Sequence, residues 1–413
     1  MKKTYFWIIL ILLCVVCACS LAEEQPVTYT SGDYQYILLP DGTAEIAKYS
    51  GSAEELAIVS ELDGYIVTSI GNRAFSDCWS LTSVVIPDSV TSIGNGVFSG
   101  CILSSITIPD SVENIGVNPF IGCDNLSVFK ISPDQPALAV IDGVLFSKSD
   151  KRLVCFPVGK KETEYAIPQG TQMIGELAFS GCSLSSITIP DSVENIGANP
   201  FIGCENLSVF KISPDQPALA VIDGVLFSKS DKRLVCYPME KKETEYAIPQ
   251  GIQMIGELAF SVCSNLTSVT IPDTVTSIGE GTFTLCGNLT SITIPNSVTD
   301  IGNGAFYGCE RLTSIAIPDS VTSIGDQTFC GCFRLMSVTI PDSVTSISNE
   351  AFSGCFWLTS VTIPDSVTSI GENAFSDCEN LTLTVPRDSY AAQYCKDNNL
   401  NYTYPDSLDW LNN

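Results

Sequence analysis

The chain contains no histidine and few basic residues. Its 413 residues include 20 lysines and arginines against 46 aspartates and glutamates, which gives a formal net charge of −26. Without histidine, the chain lacks the commonest general base and the commonest transition-metal ligand. A surface this acidic repels phosphate backbones and anionic lipid headgroups. We therefore expect no nucleic acid partner, no metal and no cofactor.

Long apolar runs are also missing beyond the N-terminus. Two lysines precede the run Phe6–Val16, which is too short to span a bilayer and is typical of a secretory signal peptide. The small residues Ser20 and Ala22 predict cleavage after residue 22. The pattern at residues 16–20 also resembles a lipobox, which predicts lipidation of Cys19 and a membrane contact through that lipid alone. Both alternatives predict a protein that is secreted or held at the cell surface.

Most of the chain is a 23-residue repeat. Its clearest copies read Val-Thr-Ser-Ile-Gly-x-x-Ala-Phe-x-x-Cys-x-x-Leu-Thr-Ser-Val-Thr-Ile-Pro-Asp-Ser. A unit this short cannot bury its own apolar face, so the copies must stack and share one core. The repeat predicts a solenoid, mainly β, with short irregular or 3₁₀ segments on its convex side.

Within one copy, the spacing of apolar residues predicts which side chains face the core. Leu289, Ile292 and Ile294 alternate with polar residues, as in a strand with one buried face. Pro295 has no N–H to pair and is expected to end that strand.

One cysteine marks each copy. A free cysteine packs as a small apolar residue, so we interpret the column as buried thiols and not as disulfides or metal ligands. The members of this cysteine ladder are Cys78, Cys101, Cys123, Cys182, Cys204, Cys263, Cys286, Cys309, Cys332, Cys355 and Cys378.

The segments that flank the repeats predict two caps. Residues 27–66 contain a hairpin pattern with an Asp-Gly turn, which would cover the N-terminal end of the solenoid at 67–388. Residues 389–413 predict a short helix with Ser389 as its N-cap, then a short strand and a tail.

An 81-residue block occurs twice. Residues 104–180 and 185–261 align without gaps. Each block holds an enlarged coil, at about 134–170 and 215–251, in which two apolar stretches flank a polar turn. This pattern predicts a β-hairpin that projects from the coil.

The repeat resembles the leucine-rich repeats of the BspA-like class, also known from Treponema surface proteins. The motifs that carry the resemblance are Ile-Pro-Asp-Ser-Val, Ile-Gly, Ala-Phe, Cys-x-x-Leu, the Asp-Gly-Val-Leu-Phe-Ser hairpins and the Ser-Tyr-Ala-Ala-Gln-Tyr cap, over nearly the whole mature chain. The resemblance implies an exported or surface-bound protein that binds host or microbial partners. Some relatives are adhesins, but no particular ligand and no catalytic residue is implied.

Departures from the repeat after the cysteine indicate a first candidate binding site. These two positions are mostly small, polar or acidic, but three adjacent coils carry arginine or aromatic residues there. Stacking of the coils predicts that Phe333 lies over Phe356. Exposed aromatic residues with arginine at their edge are typical of binding hot spots. The alternative is a coil-edge contact with no partner. We call this set the aromatic–arginine patch: Arg311, Phe333, Arg334, Phe356 and Trp357.

The predicted hairpins provide a second candidate site. They concentrate basic residues on an otherwise acidic chain, an arrangement that would attract an acidic partner. The alternative is a solvated hairpin whose charges are balanced by interleaved carboxylates. The hairpin cations are Lys148, Lys151 and Arg152, with Lys229, Lys232 and Arg233 in the second block.

Taken together, these patterns predict non-catalytic binding of an extracellular protein or glycan, as in an adhesin. The alternative is a structural stalk or a self-associating protein without a specific ligand. A glycosidase-like enzyme is disfavoured, because most carboxylates recur in the Pro-Asp-Ser turn of each copy, where turn chemistry explains them.

Overall fold

The computed structural model describes residues 26–405. The segment assigned to a signal peptide (1–22), the candidate lipidation site Cys19 and the tail from residue 406 lie outside the described residues. The described residues group into two units, 26–221 and 222–405. Within them, no helix has the length and hydropathy needed to cross a bilayer.

Each regular coil contributes one three-residue strand to a parallel sheet, and the four separate sheets that result are together called here the long ladder. In Ser291–Thr293, Ile292 is buried and its two neighbours are exposed, as the alternation of a strand requires. Ser268 pairs with Ser291 across one repeat, so the 23-residue period sets the register. The strands are Glu55–Ala57, Ser83–Val85, Ser105–Thr107, Val128–Lys130, Glu164–Ala166, Ser186–Thr188 and Val209–Lys211 in the first unit, and Glu245–Ala247, Ser268–Thr270, Ser291–Thr293, Ser314–Ala316, Ser337–Thr339, Ser360–Thr362 and Thr382–Thr384 in the second.

A two-residue strand on the other side of each coil pairs in parallel with its neighbours in four further sheets, together called here the short ladder. The turn before it closes with a hydrogen bond from the Val298 amide to the Pro295 carbonyl, 3.0 Å. The Ser297 hydroxyl donates to the Val275 carbonyl of the preceding coil at 2.6 Å, which explains the recurrent serine. The strands are Ser92–Ile93, Asn114–Ile115, Met173–Ile174 and Asn195–Ile196, then Met254–Ile255, Ser277–Ile278, Asp300–Ile301, Ser323–Ile324, Ser346–Ile347 and Ser369–Ile370.

The core of each unit consists of columns of equivalent residues. In the second unit, the phenylalanine rings from Phe260 to Phe375 stack from coil to coil, with centroids 5.1–5.5 Å apart. Nine members of the cysteine ladder are buried, and Cys78 and Cys378 are half-buried; all eleven are free thiols. The predicted β-solenoid is confirmed. Its irregular segments are runs of turns, and no 3₁₀ helix occurs between residues 26 and 405.

The N-terminal cap is a β-meander that continues the short ladder. The turn between its second and third strands has Gly42 at φ +84°, a conformation that favours glycine. Ala44–Tyr49 pairs in parallel with Tyr65–Ile70, and that strand pairs with Ser92–Ile93 of the first regular coil. The strand thus runs past the predicted boundary at residue 66. The cap strands are Thr28–Ser31, Tyr34–Leu38, Ala44–Tyr49, Glu61–Leu62 and Tyr65–Ile70.

The predicted hairpins form, but they do not project. Val144–Ser147 is buried along its whole length, and Arg152–Cys155 pairs in parallel with Met173–Ile174 of the next coil. The hairpin is therefore part of the sheet, because consecutive apolar side chains point to both faces and both must be buried. An additional edge strand, Leu138–Ile141, precedes it. The second block repeats the arrangement with Leu219–Ile222, Val225–Ser228 and Arg233–Cys236.

A buried glutamine supports each enlarged coil. The Gln135 side chain is fully buried, and its Nε2 donates to the Val112 carbonyl at 2.8 Å. Its Oε1 accepts from the amides of Ala137 and Leu138, at 2.6 and 2.5 Å. One side chain thus satisfies three backbone groups at the point where the regular coil is interrupted. Gln216 donates to the Val193 carbonyl in the same way, at 2.7 Å.

The C-terminal cap matches its prediction. The helix Tyr390–Asp397 is N-capped by the Ser389 hydroxyl, which accepts from the Ala392 amide at 3.1 Å. The strand Tyr402–Thr403 then pairs in parallel with Thr382–Thr384 and covers the last edge of the long ladder.

Candidate ligand-binding site

The chain leaves the core for two residues after each cysteine. Cys332 and Leu335 are both fully buried, and the Leu335 amide donates to the Cys332 carbonyl at 3.0 Å. This tight turn places the side chains of residues 333 and 334 outside the core. Because the coils stack, the equivalent positions of neighbouring coils form two surface columns immediately before the long ladder.

The aromatic members of the patch lie in these columns and are exposed. The rings of Phe333 and Phe356 stack with centroids 5.3 Å apart and planes inclined by 20°. Phe333 is 38% exposed, Phe356 42% and Trp357 57%. The structure therefore brings together the residues that the sequence placed on adjacent coils, and it leaves their rings at the surface.

Both arginines of the patch are held by neutral groups. The Arg334 guanidinium carbon lies 5.8 Å from the centroid of the Trp357 ring, within range of a cation–π interaction. Arg311 Nη1 donates to Asn288 Oδ1 at 3.0 Å. Across residues 26–405, no carboxylate forms an ion pair with either guanidinium.

An open depression of about 530 Å³ lies between these side chains. It exists because the first surface column carries a glycine one coil before Glu310. A Cβ built at Gly287 would meet no atom within 4 Å, so the space beside its backbone is empty. The lining residues are Gly287, Asn288, Glu310, Arg311, Phe333 and Arg334.

Two exposed residues, one in a surface column and one beside it, were missed from the sequence. Met336 is 47% exposed and replaces a threonine that occupies the equivalent position in the adjacent coils, as at Thr313 and Thr359. Trp79, in the first unit, follows its cysteine as Phe333 does and is 53% exposed. A comparison of the two positions after the cysteine in every coil would have found Trp79, and Met336 stands out from those threonines at its own repeat position.

The hairpin cations divide into exposed lysines and anchored arginines. Lys148 and Lys151 are exposed at the turn, and Lys148 Nζ donates to the Gln135 carbonyl at 2.5 Å. Lys229 and Lys232 are exposed in the second block.

Arg152 is bound into the fold. Its guanidinium donates to the carbonyls of Ile115 and Gly116, at 2.8 and 3.3 Å, and pairs with Asp150 at 2.9 Å. Burial acts to raise the pKa of the Asp150 carboxyl, but hydrogen bonds from Ser147 and Arg152 outweigh it and leave that pKa below its ordinary value. Arg233 pairs with Asp231 at 2.9 Å. The two hairpin arginines are therefore tied to the fold, and the four exposed lysines remain the candidate contacts.

Within residues 26–405, no three cysteine or carboxylate side chains are close enough to hold a metal ion. Burial raises the pKa of Cys204 and of Cys286 to about 12, so these thiols stay protonated and are poor nucleophiles near neutral pH.

The chain matches the sequence pattern of a known repeat family. The sequence pattern of the BspA type Leucine rich repeat region, in six copies, matches residues 61–161, 152–238, 233–356 and 299–397. The chain belongs to this family of leucine-rich repeat proteins.

Solved structures of similar proteins come from bacteria. A leucine rich cell surface protein from Faecalibacterium prausnitzii is 30% identical, with 95% of this chain and 98% of that chain covered and a TM-score of 0.45. A leucine-rich repeat protein from Eubacterium ventriosum is 26% identical, with 85% and 94% covered and a TM-score of 0.48. The pneumococcal vaccine antigen PcpA shares the fold, at 19% identity, 93% and 100% coverage and a TM-score of 0.52. Among curated proteins, no sequence matches the chain.

Proposed function

We propose that the chain is a non-catalytic protein of the bacterial cell surface that binds an extracellular ligand through the aromatic–arginine patch. The observation that carries the proposal is the exposed stack of Phe333 on Phe356 beside Trp357. Nothing in the fold requires rings there, because Gly287 and Asn288 occupy the same turn one coil before Glu310. Aromatic surface that the fold does not need is typical of recognition sites.

The surface location has separate support. The N-terminal sequence is typical of an exported protein. The relative from Faecalibacterium prausnitzii is described as a cell surface protein. Mass spectrometry of the mature N-terminus distinguishes the two forms of export: a diacylated Cys19 would show a lipid anchor, and a chain that starts at Glu23 would show a freely secreted protein.

The test of binding uses an array of glycans and extracellular-matrix proteins. The mature chain should bind at least one of them saturably, and the triple variant Phe333→Ala, Phe356→Ala, Trp357→Ala should lose that binding at an unchanged melting temperature. Trp79→Ala is the matched control, because it removes an equally exposed ring at the position after a cysteine in the first unit. A chain that binds nothing saturably, or a triple variant that binds like the control, would favour a structural stalk.

A further inference from the structure

Positive charge is almost absent from the coils that surround the patch. Between Ile252 and Pro386 the chain has thirteen acidic residues and two basic ones, Arg311 and Arg334. These two occupy the same repeat position on adjacent coils and line the same depression. The need for a soluble surface does not explain these two arginines, since the acidic residues already give the coils a strong net charge.

Both guanidinium groups retain donors for a ligand. A guanidinium has five N–H donors, and Arg311 uses Nη1 on Asn288 while Arg334 rests on the Trp357 ring. Neither has a carboxylate partner among residues 26–405. Neutral contacts hold the groups in position without neutralising them, which is the arrangement that favours pairing with an incoming carboxylate.

The size and lining of the depression fit a small polar ligand with an apolar face. Its volume of about 530 Å³ lies within the range of roughly 300–1,000 Å³ for small-molecule sites. Asn288 Nδ2 already donates one N–H to the Ser264 carbonyl at 2.6 Å, which leaves its second N–H for a ligand hydroxyl group. The Glu310 carboxylate can also bond hydroxyl groups, and the Phe333 ring offers a flat apolar surface. Sugar rings combine hydroxyl groups at the edge with an apolar C–H face. A protein partner would need a wider surface than this.

The charge balance limits how acidic the ligand can be. Two arginines and one glutamate line the depression, a local excess of one positive charge. The surrounding acidic residues repel a chain with many negative charges. The depression therefore suits one carboxylate and disfavours a polyanion.

We infer that this depression binds a saccharide that carries a single carboxylate, as a uronic acid or sialic acid residue does. Arg311 and Arg334 pair with the carboxylate, Phe333 contacts the face of the ring, and Asn288 and Glu310 bond its hydroxyl groups. The inference rests on the proposed binding function and specifies its ligand.

Calorimetric titration of the mature chain tests this assignment. The probes are sialyllactose against lactose, and a disaccharide that contains glucuronic acid against the same disaccharide with glucose. At least one acidic sugar should bind, about tenfold or more tightly than its neutral counterpart, because charge-assisted hydrogen bonds are lost with the carboxylate. The pair that shows the difference identifies which acid is bound.

Variants assign the effect to the two arginines. Arg311→Ala and Arg334→Ala should each lower the affinity for the acidic sugar about tenfold or more and leave the affinity for the neutral sugar unchanged. Arg334→Lys keeps the charge but loses the planar donor pair, so it should give an intermediate loss. Lys396→Ala, which removes an exposed cation of the C-terminal helix, is the charge control.

The outcomes separate this inference from the proposed function. Equal binding of acidic and neutral sugars, or equal losses in Arg334→Ala and Lys396→Ala, would overturn the inference. So would binding of only a protein or peptide through the patch, although the proposed function would then stand. If no sugar and no protein binds, both fail.

Discussion

The thiol of Cys309 donates a hydrogen bond to the backbone carbonyl of Phe283, one coil earlier, at 3.2 Å. Ten ladder cysteines make this bond to an aromatic residue of the preceding coil, at 3.0–3.7 Å. The position therefore requires a side chain that is small and apolar and can still donate to a buried carbonyl. Cysteine meets all three requirements.

Replacing one ladder cysteine should destabilise the second unit. Cys309→Ala removes one of two donors to the Phe283 carbonyl, which still accepts from the Cys286 amide at 3.0 Å, and it opens a small void. We therefore expect a loss of about 1–2 kcal/mol in the free energy of unfolding. Urea denaturation measures it. The control is Cys330→Ala, at a half-buried site outside the ladder. Equal effects of the two substitutions would show that the thiol bond contributes nothing.

The buried thiols predict a loss of stability in alkali. Burial raises the pKa of Cys204 and Cys286 to about 12, from an ordinary value of 9.0. Below pH 9 the thiols are protonated in both the folded and the unfolded chain, so their contribution to the free energy of unfolding is complete. As the pH rises from 9 towards 12, only the unfolded chain ionises, and the free energy of unfolding therefore falls. The urea midpoint should therefore decrease between pH 8 and pH 10. A midpoint that is constant over this range would contradict the burial of the thiols.

The sequence predicts the regular coils well because the repeat period alone sets the register between neighbouring coils. A fixed 23-residue step aligns equivalent positions, so the inward Leu289, Ile292 and Phe306 follow from periodicity alone, and all three are buried. The caps also follow from local signals, such as Ser389 at the start of the helix.

The contacts of the enlarged coils do not follow from the repeat period. Arg152 donates to the carbonyls of residues 115 and 116, which lie 37 and 36 positions earlier and share no repeat relation with it. The run Val144-Leu145-Phe146 does carry the missing signal, since consecutive apolar residues indicate a strand buried on both faces. The depression beside Phe333 also depends on the space at Gly287, which only the stacked coils reveal.

Substitution of the buried glutamine should be among the most damaging single changes. Gln135→Ala removes the partner of two amides and one carbonyl, and we expect a loss of roughly 2–5 kcal/mol, since each buried unpaired group costs about 1–3 kcal/mol. Gln393→Ala, on the exposed face of the C-terminal helix, is the control and should change stability by less than about 0.5 kcal/mol. If Gln135→Ala unfolds at the control's midpoint, water must satisfy those backbone groups and our account of the enlarged coil is wrong.

Deletion of one 81-residue block should leave a folded protein. Leu103 and Leu184 are fully buried at equivalent positions, so removal of residues 104–184 joins Leu103 to Ser185 and keeps the core in register. The shortened chain should keep the circular dichroism spectrum of the full chain, scaled by its length, and unfold cooperatively. A deletion that is ten residues shorter breaks the register and should aggregate. If both deletions behave alike, register is not what holds the coils together.

The most direct test of the binding assignment compares two exposed tryptophans that follow a ladder cysteine. Trp357, 57% exposed, lies in the aromatic–arginine patch, whereas Trp79, 53% exposed, lies in the first unit. The measurement is the affinity of Trp357→Ala and of Trp79→Ala for whichever array ligand the mature chain binds. The patch predicts that Trp357→Ala weakens binding by about 1–3 kcal/mol, the range of a central aromatic contact, while Trp79→Ala leaves it unchanged. Equal affinities of the two variants would contradict the assignment.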